Sequence, residues 1–152
     1  MGLFEEYTLF VDHTQRLSER RQNATQTFLT INTGIFTILA FLFKDAGVQT
    51  RQVALASLPL FAAGLLVCWL WHRIITQYKA LIGWRYTQLR EIERQLPDSY
   101  RMFTREWDEL YQPRDGTSRF DFSGLEHQLP RIFGALFLSG MLLVVAWWLS
   151  WI

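Results

Sequence analysis

The chain has 152 residues, with Lys+Arg 15 against Asp+Glu 14, and half of it is hydrophobic, including seven Trp, twelve Phe and five Tyr. A net charge of +1 leaves no basic field for nucleic acid and no acidic tail, and the single cysteine, Cys68, excludes an intrachain disulfide or a cysteine-based metal site. Mean hydropathy is near zero because strongly apolar stretches alternate with strongly charged ones, the profile of a membrane protein with a sizeable wet portion.

From Leu3 the residues Leu3, Tyr7, Phe10, Thr14, Leu17, Arg21, Ala24, Phe28 and Ile31 step by four and three, and no proline or glycine interrupts them before Gly34. One long helix over 3–43 is expected, amphipathic at first and apolar over 24–43. The opening has acids near its start and no basic stretch before an apolar core, so it does not read as a secretory signal and the chain is expected to insert uncleaved. A second apolar run covers 53–72, with Pro59 near its start, and the same spacing continues through Trp71, Ile75, Tyr78, Ile82, Arg85, Leu89, Ile92 and Leu96 until Pro97. Only a short loop separates the two helices, so they must run antiparallel, with facing positions summing to about 96. That register sets Asp12 against Arg85 as a candidate inter-helix pair, and Glu5 or Glu6 against Arg90.

Residues 98–130 form a polar segment, with a short helix expected over 100–110 and a turn over 112–116. Ser123 and Glu126 have the spacing of a capping box that would start a helix just before the membrane. The third apolar run is 132–152, with Pro130 in its approach and Trp147, Trp148 and Trp151 placed as an interfacial belt. Each run matches the roughly 20 helical residues that cross a hydrocarbon core, and none contains a charge. The expected fold is therefore all-α, with three transmembrane helices and the first two extended into an antiparallel hairpin. Arg16, Arg20 and Arg21 and the ten Lys and Arg residues over 73–131 lie on one side, against only Lys44 and Arg51 on the other. The positive-inside rule then sets the N-terminus and the long second loop in the cytoplasm and the C-terminus on the far side.

No phosphate-binding loop, dinucleotide fingerprint or nucleophile motif occurs, and the three histidines, His13, His72 and His127, are far apart in sequence. No enzyme, cofactor or metal is expected. Asn23-Ala24-Thr25 matches a glycosylation acceptor, but the topology puts it at the cytoplasmic face. The informative polar feature is a stripe on the first helix, Asn23, Gln26, Thr30, Thr33 and Thr37, which shares one face and suits either helix packing or the lining of a pore in an oligomer. Asn32 stands off that face and is expected to hydrogen-bond the second or third helix. Trp107, Tyr111 and Phe120 either pack back onto the hairpin or anchor a protein partner.

Ser18-x-Arg20-Arg21-Gln22 followed by Phe28-Leu29-Thr30-Ile31-Asn32, Trp71-x-x-Ile74, Tyr78-Lys79-x-Leu81 and Ile92-Glu93-x-Gln95-Leu96-Pro97 resembles the RipA-type family of small octameric bacterial inner-membrane proteins. The resemblance covers most of the first hundred residues and implies a homo-octamer in the inner membrane, with no biochemical activity attached. Self and membrane lipid are the expected partners, with a further protein as the alternative.

Overall fold

A computed structural model describes residues 2–46, 51–96, 100–111 and 122–150. The elements are α1 (Leu3–Ala46), α2 (Arg51–Gln95), α3 (Met102–Glu106) continued by a π-helical turn (Trp107–Tyr111), and α4 (Phe122–Leu149). α1 carries Glu5 and Glu6 in its first turn and Lys44 in its last, the signs that the helix dipole favours. At 44 residues it is about 66 Å long, roughly twice a hydrocarbon core. α2, at 45 residues, is as long, and it runs through Pro59 unbroken. Three of the helices, α1, α2 and α4, are long and apolar enough to cross a membrane.

The chain divides into two compact units, one of residues 1–23 and 76–125 and the other of 24–75 and 126–152. In the second unit the core is Leu39, Phe61, Cys68 and Phe137. Helices in lipid gain little from excluding water, so close approach at small residues has to hold them together. Here the approach is reciprocal between α2 and α4. A Cβ on Gly64 would stand 2.6 Å from the Phe137 ring, and one on Gly140 would stand 2.5 Å from the ring of Phe61. Each glycine is a notch for the other helix's phenylalanine. Phe36 of α1 stacks on Phe137 with ring centroids 4.4 Å apart, and Phe28 stacks on Trp71 at 5.9 Å. All three helices thus meet at aromatic rings.

In the first unit the wet parts of α1 and α2 pair through Leu17, Ile82 and Leu89, all buried, and Phe10 lies 6.5 Å from Trp84. The antiparallel pairing agrees with the sequence pattern, but the register is looser than expected. Positions 7 and 93, 28 and 71, and 32 and 68 sum to 99 or 100, whereas 10 and 84 sum to 94. Long side chains reach up and down a neighbouring helix by half a turn, so one sum cannot describe every contact. The short helix expected over 100–110 is present as α3 and its π-helical turn. α4 starts at Phe122, which places Ser123 inside its first turn and not before it. The turn at 112–116, Phe120 and Trp151 lie outside the described residues, as does the side chain of Ser123.

The notches give a direct test. Gly64→Ala should lower stability by about 1–3 kcal/mol through overpacking against the buried Phe137 ring, read as a fall in the thermal midpoint in detergent. Gly34→Ala, which meets open space, should leave the midpoint unchanged or slightly raised.

Candidate functional site

The polar stripe of α1 emerges as a bare face. Asn23, Gln26, Thr30, Thr33 and Thr37 are all exposed in the protomer, while the buried face of the same helix carries Asn32 and Leu39. Thr30 Oγ1 donates to the Gln26 carbonyl at 3.0 Å, Thr33 to Leu29 at 2.9 Å and Thr37 to Thr33 at 2.9 Å. Back-bonding of this kind lets a hydroxyl sit in an apolar span at low cost, because its donor is satisfied without water. The oxygen lone pairs remain free to accept. Among the described residues, Gln26, Thr30, Thr33 and Thr37 make no hydrogen bond to α2 or α4.

Asn32, on the buried face, does reach a second helix as its position suggested. Its Nδ2 donates to the Phe28 carbonyl at 2.7 Å, and its Oδ1 accepts from Cys68 Sγ of α2 at 3.3 Å. Cys68 is therefore both a small core residue and the hydrogen-bond partner of a fully buried amide. His72 and His127, remote in sequence, come together with ring centroids 5.2 Å apart because α2 and α4 run antiparallel. Among the described residues no group of three or more His, Cys, Asp or Glu gathers as metal ligands would.

Asp12 and Arg85 are not brought together. Asp12 pairs with Arg16 on its own helix at 3.0 Å, and the Arg85 guanidinium lies over the Phe10 ring at 5.8 Å. The register fixed their height along the helices but not their direction. Asp12 is two residues from both Phe10 and Thr14, which carries it roughly 200° away from the seam they form. Glu5 likewise accepts from the Gly2 N–H at 3.1 Å, while Arg90 stacks on Trp107 at 4.2 Å. Trp107 thus packs back onto α2.

The charge that does organise the first unit is Glu93, fully buried. Its Oε1 accepts from the Tyr7 hydroxyl and the Phe103 N–H, both at 3.0 Å. Its Oε2 accepts from the Thr104 N–H at 3.0 Å and the Thr104 hydroxyl at 2.9 Å. Two of these donors are N–H groups at the start of α3 that no helical carbonyl can satisfy, so a side chain of α2 caps α3 from outside. Arg101, just before α3, has φ 52°, a left-handed conformation rare for a residue with a side chain. The sequence offered no signal for this arrangement: the spacing through Arg85, Leu89, Ile92 and Leu96 leaves Glu93 beside the seam.

Burial, then the hydrogen bond from Tyr7 to Glu93 and the Glu93 charge, push the Tyr7 phenol up to about 12 from its ordinary 10.0. Folding thus retains a proton that the unfolded chain releases. This contribution is intact below pH 10 and is lost as pH rises from 10 to about 12. Thermal melts of the wild type should lose stability across that window, and Tyr7→Phe should flatten the loss. At neutral pH Tyr7→Phe should cost about 1–2 kcal/mol, and Glu93→Gln about 2–4 kcal/mol because an amide turns a donor toward donors.

Three spans, two of them in helices twice the membrane's thickness, with a buried-carboxylate cap outside the lipid, define a small all-α integral membrane protein. A family model described as the octameric membrane protein family (8xMP) matches residues 4–150, and the chain belongs to that family. No curated protein and no solved structure matches it.

Proposed function

We propose that the chain is the non-enzymatic subunit of a homo-octameric ring in the bacterial inner membrane, with the polar face of α1 turned toward the ring axis as a pore lining. The observation that carries this reading is the exposure of Gln26, Thr30, Thr33 and Thr37, whose threonine hydroxyls bond only their own helix among the described residues. The outward faces of α2 and α4 expose Leu55, Leu66, Leu136 and Leu142, which suit lipid. Assembly gives the α1 face somewhere else to go. Back-bonded threonines present acceptor oxygens to such an axis, a lining for water and cations that needs no reactive group. The excess of Lys and Arg over 1–23 and 73–131 supports an orientation with the N-terminus and the hairpin in the cytoplasm and the C-terminus in the periplasm.

Reconstituted into planar bilayers, the octamer should conduct, and Thr33→Leu should abolish or sharply reduce the current while the assembly survives. Absence of conductance in the wild type would remove the pore and leave a scaffold.

The second reading is a membrane-anchored subunit that binds another protein through its cytoplasmic segment. Tyr100 and Met102, large and exposed on either side of the left-handed Arg101, favour it. Affinity capture from membranes that recovers only the chain itself, whether Tyr100 is present or replaced by Ser, would dismiss it.

A further inference from the structure

The first unit has one side covered and one side bare. α3 covers the side on which Tyr7 of α1 and Tyr86 of α2 both meet the Phe103 ring, at 6.5 and 5.6 Å. Leu9 stands two residues after Tyr7, and Trp84 two residues before Tyr86. Two helical residues turn the side chain by roughly 200°, so Leu9 and Trp84 both look away from α3. They flank Phe10, whose ring lies 6.5 Å from that of Trp84. Leu81, one turn before Trp84, completes the group. Trp84 is 57% exposed, Leu9 47% and Leu81 42%.

Lipid does not reach this patch. Leu81 lies nine residues beyond the end of the second apolar run at position 72, a distance of about 13 Å along the helix, which is past the headgroups. Along α2 the same face continues with Gln77 and Gln88, and the Arg85 guanidinium is folded over Phe10, while along α1 Leu9 has Glu5 and Glu6 one turn before it and Asp12, ion-paired to Arg16, one turn after. An indole between leucines, edged by neutral amides on α2 and by charged side chains on α1, has the apolar centre and polar rim of a protein–protein contact. The partner is at hand, because the family is octameric and each copy must bury part of itself against others.

We propose that the bare side of the hairpin, centred on Leu9, Leu81 and Trp84, is a contact surface between copies outside the membrane, seated on a second copy of this chain. This rests on octamer formation and not on the pore. The outcome is therefore independent of conductance, and a non-conducting octamer held together by this surface leaves the inference standing.

The test uses the full chain in detergent, with stoichiometry read by native mass spectrometry. Trp84→Arg combined with Leu81→Arg should replace the octamer with smaller species while membrane insertion and helical content stay at wild-type levels, and Trp84→Phe should keep the octamer. Persistence of the octamer in the double variant overturns the proposal. A second measurement does not depend on how that variant folds. In a Cys68→Ser background, Trp84→Cys should react with a maleimide several-fold more slowly in the octamer than in subunits dissociated by harsher detergent. Glu106→Cys, on α3, should react alike in both. Equal rates for Trp84→Cys in the two states overturn the proposal, and so does equal protection in both, which would mean that the chain's own residues cover the patch.

Discussion

The wet half of this protein depends on where one carboxylate finds its hydrogen bonds. Glu93 has no access to water, and a buried charge without partners would cost several kcal/mol. Four donors from two segments answer it: the phenol of α1, and the backbone and hydroxyl donors that open α3. The same four bonds close the hairpin, seat α3 and satisfy that helix's own orphaned N–H groups. Arg101, in the left-handed conformation, stands just before the helix whose Phe103 and Thr104 N–H groups reach those oxygens.

The lipid half is held by a different kind of contact. There the scarce resource is close approach, and the structure supplies it with two glycine notches, each filled by a phenylalanine from the opposite helix. The stacked Phe36 and Phe28 extend that contact to α1. One buried polar link, Asn32 with Cys68, adds direction to an interface that is otherwise a matter of shape. The polar face of α1, with Gln26, Thr30, Thr33 and Thr37, stays exposed in the protomer. The functional reading therefore hangs on that face rather than on any cluster of reactive groups.

Much of this was written in the sequence, but unevenly. The three apolar helices follow from run length and charge avoidance, and the unbroken course of α1 and α2 follows from a spacing that no glycine or proline interrupts before Gly34 in the one and that tolerates Pro59 in the other. Asn32 could be set apart from the threonine stripe because 100° of turn per residue is a local quantity. The Asp12–Arg85 pair failed because facing height can be counted along a chain whereas direction must be read round the helix, and Asp12 had never been on the seam. The role of Glu93 was hidden for another reason. Two of its donors are backbone N–H groups, which every residue but proline carries, so no residue pattern marks them. The meeting of His72 with His127 required knowing which side of α2 the last helix takes.

The Tyr7–Glu93 bond also has a place in time. Its two ends are 86 residues apart, and the clamp is complete only when Thr104 has been made. At translation rates of about 5–20 residues per second, the first helix waits roughly 5–20 seconds for its counterpart. During that wait the residues of both early spans are made, while the Tyr7 hydroxyl still lacks the carboxylate to which it donates. The first helix is thus locked by groups made after the two early spans and before the third, which has still to leave the ribosome when the clamp is complete.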